Sequence, residues 1–274
     1  PPRLVVAYVP KDLPGVDLSD SRTIRVRVPP AKPGAPEEVR DYLTQISHLR
    51  VARSTDGAHF EVDPQPAVCP IDSFEEYGCE DPRATLIDGV WHITYVSVGQ
   101  LGITTSRLTT TDFRSFQRCG IMFLPDHKDV VLFPGRVRGR YIALTRPMPA
   151  SFNRVLGIWI AFSDDMVCWG GHRPLALPRK GMWDGLRTGA GAVPFRVPEG
   201  WLELYHGVGV DGQYAMGALL LDAEDPSRVI GRSPDPILVP TEEYETSGFY
   251  NNTVFSCGHV PLDERGERIR MYYG

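Results

Sequence analysis

The chain has 274 residues, 42% hydrophobic and 23% charged, which is long enough to bury a sizeable core and ordinary for a globular protein. A formal net charge of -5 argues against a nucleic-acid or anionic-membrane partner, while leaving room for a small local basic pocket. No apolar run approaches transmembrane length, and the 27 Gly and 25 Pro are spread along the chain, a distribution that predicts many turns.

The opening, "PPRLVVAYVP", lacks the charged and apolar regions of a signal peptide. The five cysteines (Cys69, Cys79, Cys119, Cys168, Cys257) are odd in number and contain no CxxC pair, so they read as free, packed thiols of a reducing compartment. A cytoplasmic location is the expectation. The best helical segment is "APEEVRDYLTQI", residues 35–46, with Pro36 and two Glu at its start as a helix N-terminus prefers. Elsewhere, short alternating runs of Val, Ile, Tyr and Trp bounded by Gly, Pro and Asp read as strands.

The strand-like runs recur. "LRVARSTDGAHF", "ITTSRLTTTDFRSF", "IWIAFSDDMVCW" and "GALLLDAEDPSRV" each read as a strand, an Asp-centred turn and a further apolar residue. Their aspartates, Asp56, Asp112, Asp165 and Asp225, lie 56, 53 and 60 residues apart. Between them, "DGVWHITYVSV", "RGRYIALTRP" and "EGWLELYHGV" form a second series that "ERIRMYYG" resumes at the end. A period near 55 with about four strands per unit predicts an all-β, five-bladed β-propeller with a central funnel. Residues 1–274 are expected to be one domain, with segments missing because the first unit is irregular and "MYYG" falls on an inner strand. Repetition makes the four turn aspartates scaffold, since Asp serves turns by bonding the backbone. In such a fold, Asp81/Arg83, Lys128/Asp129, Arg146, Arg187 and His206 sit at equivalent strand ends and are expected in one funnel.

Seven separated segments carry a family resemblance: "YGCEDPRATL", "HKDVVLFP", "YIALTRP", "WDGLRTGAGAVPF", "GWLELYHGV", "PILVPTEEYE" and "NNTVF". In order and spacing the chain resembles glycoside hydrolase family 130, the inverting β-mannoside phosphorylases and related β-mannosidases, from about residue 47 onward. The resemblance implies a five-bladed propeller and phosphorolysis of short β-1,2- or β-1,4-linked mannosides to α-mannose 1-phosphate. It implies Asp81, within the E-D-P-R segment, as the acid, its proton relayed through the mannose 3-hydroxyl. Matching positions imply that Lys128, Arg146, Arg187, His206 and Tyr214 bind phosphate. They imply that Glu80, Arg83, Asp129, His48 and Asn252 contact substrate. Inorganic phosphate is then a co-substrate, with no cofactor and no metal; a mannose-containing oligosaccharide is the partner, and a homo-oligomer is expected because oligomer contacts often shape the rim.

The chemistry agrees with these residue types. Phosphate is a strongly hydrated, weak nucleophile, and an inverting site that uses it needs one protein carboxylate and a desolvated basic cluster. The bland reading of Asp81 is a turn before Pro82, and that of His206 a satisfied core histidine. A hydrolase on the same scaffold needs a second carboxylate, for which Glu203 and Glu243 are the nearest candidates. A silent carbohydrate-binding propeller is the third alternative.

Overall fold

The computed structural model describes residues 16–17, 23–28, 32, 38–43, 46–149, 154–247, 250–263 and 265–274. Strands β1 (Val16–Asp17), β2 (Thr23–Val28) and β3 (Glu38–Leu43) form an antiparallel sheet in that order. Residues 38–43 are therefore a strand where the sequence predicts helix, and residues 35–37, 44 and 45 of that prediction lie outside the described residues. The physical reason is competition. A helix this short is marginal alone, whereas the alternating Thr23–Val28 run supplies an in-register partner for every residue of Glu38–Leu43.

Next, β4 (Ala52–Arg53) pairs with β5 (Glu61–Val62). Two four-stranded antiparallel sheets follow. The first is β6 (Gly78–Ile87), β7 (Val90–Gly99), β8 (Gly102–Thr110) and β9 (Gln117–Phe123). The second is β10 (His127–Leu132), β11 (Tyr141–Pro147), β12 (Ile158–Ser163) and β13 (Gly170–Ala176). A third sheet runs β14 (Arg187–Ala190), β16 (Gly200–Val208), β17 (Tyr214–Leu221) and β18 (Val229–Arg232), with short β15 (Phe195–Val197) also on β16. One helical turn, α1 (Glu243–Thr246), precedes the pair β19 (Gly258–Pro261) and β20 (Ile269–Tyr272). The protein is all-β in its described sheets, built mainly from repeated four-stranded units.

Asp112, Asp165 and Asp225 lie between the third and fourth strands of these sheets, and Asp56 lies between β4 and β5. Thr110 Oγ1 accepts the Asp112 and Phe113 N–H groups, and Asp112 Oδ1 accepts those of Arg114 and Ser115 at 2.8 and 2.9 Å. Ser163 and Asp165 repeat the arrangement, as do Ser54 and Asp56. In the fourth turn Asp222 takes the hydroxyl's place, accepting Glu224 and Asp225 N–H, while Asp225 accepts Ser227 N–H. These side chains satisfy backbone donors that a tight turn would leave unpaired.

Strand parity explains how the sheets stack. On the second sheet, Val131, Phe133, Ile142, Leu144, Ile158 and Ile160 share a core with Ala190, Trp201, Tyr205, Leu219 and Leu221 of the third. The alternate residues Val130, Leu132, Ala143 and Ala161 pack with Ile87 and Phe123 of the first. Threonines lace the first two sheets together: Thr94 Oγ1 donates to the Val130 carbonyl at 2.6 Å and Thr105 Oγ1 to that of His127 at 3.2 Å. The second sheet thus packs against a neighbour on each face, and its first strand β10 contacts both β6 and β14.

In each of two sheets a carboxylate ahead of the first strand is tied to later strands of that sheet. In the first, Glu75 is bound by Tyr95 OH at 3.0 Å and by Arg118. In the third, Asp184 is bound by Tyr205 OH at 2.7 Å, by Arg179 and by Arg232. Glu245 accepts Tyr273 OH at 2.6 Å in the last unit. Burial pushes the Asp184 carboxyl up, but hydrogen bonds from Arg179 and Tyr205 and the Arg232 charge outweigh it and hold it below the usual range. A depressed carboxylate stabilises the fold above its unfolded pKa of about 3.9, and that stability is lost as pH falls through the folded value. Asp184→Asn is expected to cost about 3 kcal/mol at pH 6 by stranding two guanidinium groups. In urea titrations between pH 6 and pH 3, its midpoint should fall less steeply than that of the parent protein; parallel curves would contradict this role.

Candidate active site

The site grows from the same irregularity used twice. Pairing of β6 with β7 slips between Glu80 and Arg83, and pairing of β10 with β11 slips between Lys128 and Val131. Inside each bulge stands an aspartate with left-handed backbone, Asp81 at φ 50° and Asp129 at φ 53°. Asp tolerates that conformation better than most residues, and a bulge re-aims the side chains around it. Asn252 has the same backbone, φ 52°.

Asp129 is 1% exposed and collects nitrogen donors from three strands. Arg146 Nη1 of β11 lies 2.8 Å from its Oδ2, His206 Nε2 of β16 lies 3.2 Å from the same oxygen, and Arg83 Nη2 of β6 lies 3.6 Å from Oδ1. Burial alone would raise the Asp129 carboxyl, yet Arg146, His206 and Arg83 prevail and hold it well below the usual carboxylate range. For His206 burial dominates and lowers the imidazole, with Asp129 opposing. Its Nε2 faces Asp129, and its buried Nδ1 has no protein partner among the described residues.

Glycine makes this packing fit. A Cβ on Gly189 would run into Asp129 Oδ2 and His206 Nε2, and one on Gly191 would run into the Leu204 carbonyl. The run Thr188-Gly189-Ala190-Gly191 is therefore a wall of backbone and small side chains against which charged groups lie. Arg83, 1% exposed, donates through Nε to the Gly191 carbonyl at 2.7 Å, Nη2 to that of Ala190 at 3.0 Å and Nη1 to that of Asp81 at 2.9 Å.

Arg187 opens β14 with its guanidinium 4.9 Å from the Tyr214 ring centre, and that ring stacks near His206 at 6.1 Å. Burial raises the Tyr214 phenol, with Arg187 and Arg146 opposing. Lys128, half-buried, is the backbone partner of Arg146 across β10 and β11. Phe255 closes the group, 4.8 Å from the His206 ring and 5.8 Å from Arg83.

The structure thus gathers Arg83, Asp129, Arg146, Arg187, His206 and Tyr214, with Lys128 beside Arg146. Asp81 joins through its carbonyl, and its carboxylate has no hydrogen-bond partner among the described residues. Glu80 is set apart: its Oε1 accepts Ser47 Oγ at 3.1 Å. His48, next to Ser47, is exposed, and exposed Asn252 reaches the group by accepting the Tyr214 N–H through its carbonyl at 3.0 Å. Phe255, Gly189 and Gly191 were not singled out in the sequence. Two glycines flanking an alanine within "RTGAGAVPF" are a readable sign of close backbone approach, whereas nothing in "NNTVF" marks its phenylalanine.

Residues 38–274 match the family-130 glycoside hydrolase profile described as β-1,4-mannooligosaccharide phosphorylase. A β-1,2-mannobiose phosphorylase of Listeria innocua is 41% identical over 258 residues, covering 94% of this chain and 70% of that protein. A 1,2-β-oligomannan phosphorylase of a Thermoanaerobacter species is 36% identical, covering 85% of this chain and 76% of that one. The solved Listeria innocua β-1,2-mannobiose phosphorylase in complex with β-1,2-mannobiose superimposes with a TM-score of 0.84 at 40% identity, over 96% of this chain and 72% of that one. The chain belongs to glycoside hydrolase family 130.

Proposed function

We propose that this glycoside phosphorylase cleaves short β-mannosides with inversion, transferring the mannosyl group to inorganic phosphate in the funnel of a five-bladed propeller. The observation that carries the reading is the surplus of positive charge around Asp129. One carboxylate cannot neutralise Arg83, Arg146, Arg187 and Lys128, and Arg146 Nε and Arg187 Nε are buried donors without a partner among the described residues. Each such orphan costs about 1–3 kcal/mol unless a ligand satisfies it, and a phosphate presents several acceptor oxygens in the geometry arginine matches. Names of similar proteins favour the β-1,2 linkage, and the family profile's description keeps β-1,4 in view.

Lys128, Arg146, Arg187, His206 and Tyr214 hold the phosphate, with the unpartnered His206 Nδ1 as one of its contacts. Arg83 and Asp129 are engaged by protein partners and support those groups from behind. Glu80, His48 and Asn252 stand at the rim, toward the sugar. A phosphate oxygen bonds to the anomeric carbon as the bond to the acceptor oxygen breaks. The Asp81 proton reaches that oxygen through the mannose 3-hydroxyl, and proton exchange with solvent restores Asp81. The products are α-mannose 1-phosphate and the shortened sugar.

Hydrolysis needs a second carboxylate, about 6.5–9.5 Å from the acid, to activate water. Glu203 is fully buried and spends Oε1 on the Gly191 N–H, and Glu243 lies exposed on α1. Neither geometry suits a base.

Two outcomes test the reading. With β-1,2-mannobiose, phosphorus NMR should show mannose 1-phosphate accumulating only when phosphate is present, and Asp81→Asn should lower kcat about 10³-fold with little change in the phosphate KM. Equal turnover in phosphate-free buffer would contradict phosphorolysis. Gly189→Ala, which forces Asp129 and His206 apart, should raise the phosphate KM at least ~10-fold, the cost of about one displaced charge-assisted hydrogen bond. An unchanged phosphate KM would remove those two residues from the anion's support.

A further inference from the structure

A second buried carboxyl lies one strand behind the site. Glu203 of β16 is 0% exposed, and its Oε1 accepts the Gly191 N–H at 2.9 Å. The next atoms form a continuous series. The Gly191 carbonyl receives Arg83 Nε at 2.7 Å, the neighbouring Ala190 carbonyl receives Nη2 at 3.0 Å, and Nη1 reaches the Asp81 carbonyl at 2.9 Å. At its far end Asp81 holds a left-handed backbone, a conformation that persists in a non-glycine residue only when its surroundings over-determine it. At its near end the Gly191 peptide cannot shift toward the Leu204 carbonyl, because even a Cβ has no room there.

We propose that Glu203 is a positioning residue for the acid: it clamps the Gly191 peptide, which orients Arg83, which in turn fixes the main chain of Asp81 beside the phosphate site. The clamp works uncharged. Burial pushes the Glu203 carboxyl well above its ordinary range, and only the Gly191 N–H and the Arg83 charge oppose that. An ionised Glu203 would compete with the backbone carbonyls for the Arg83 guanidinium; the neutral acid leaves those bonds in place. Oε2 has no partner among the described residues, so a single acceptor atom carries the function. A hydrogen-bonding side chain of the same shape should therefore replace it, and an apolar one should not.

The proposal rests on Asp81 being the acid. Glu203→Gln and Glu203→Leu are compared with the parent enzyme on β-1,2-mannobiose and phosphate, together with hydrogen exchange at the Gly191 amide, which needs no turnover. Gln should rescue, with kcat within threefold of the parent and slow exchange retained. Leu should lower kcat at least 30-fold, leave the phosphate KM within threefold and speed Gly191 exchange at least tenfold. A merely structural role would reduce the folded fraction without altering kcat per folded molecule. Parent-like kcat and exchange in folded Glu203→Leu, or a Gln variant as impaired as Leu, would overturn the proposal. Glu203→Ala, which leaves space for water, gives the same comparison if the leucine variant does not fold. A parent enzyme that turns over no mannoside would instead refute the phosphorylase reading, while the exchange data would still judge the clamp.

Discussion

The site depends on a single buried anion. Asp129 lies within ion-pair distance of Arg146, His206 and Arg83, which come from three different strands, and it does so in a bulge whose backbone is left-handed. An isolated carboxylate would not stay charged at that depth, since the desolvation cost is several kcal/mol. Three partners reverse the balance, and the carboxyl is held far below its usual range. The guanidinium and imidazole groups are thereby fixed before substrate arrives, which is the preorganisation that binding and orienting a hydrated anion require.

The scaffold makes that convergence possible by parity. Because the second sheet packs on both faces, its first strand β10 contacts both β6 and β14. Thr188-Gly189-Ala190-Gly191 keeps the approach open, since side chains at 189 and 191 would occupy the space of Asp129, His206 and the Leu204 carbonyl. Arg83 then crosses from the first sheet to the backbone of the third, so β6, which carries Asp81, and β14, which carries Arg187, share one side chain. The carboxylate–tyrosine ties at Glu75 and Asp184 act at a distance, holding the segments that lead into β6 and β14 to their own sheets.

Much of this was legible because repetition and charge leave marks in a sequence. The Asp-centred turns announced the units, and their hydrogen bonds are local, so side-chain type and spacing were enough to find them. Lys128, Arg146, Arg187 and His206 were legible as polar residues at matching strand ends in a net-acidic chain. The strand at 38–43 was not, because its choice over a helix is made by a partner elsewhere in the chain. Nor was the division of labour between neighbours: Glu80 turning to Ser47, Arg83 spending its donors on carbonyls, and Phe255 against His206 all depend on bulges and three-dimensional packing that spacing does not encode.

The central claim is that the Arg146–Arg187–His206–Tyr214 group is an anion site facing Asp81. Diffraction from crystals soaked with phosphate tests it most directly. The account predicts one phosphate within hydrogen-bonding distance of Arg146, Arg187 and His206, with Asp81 across the space left for the sugar. A phosphate bound elsewhere, with these arginines turned away to solvent, would contradict it.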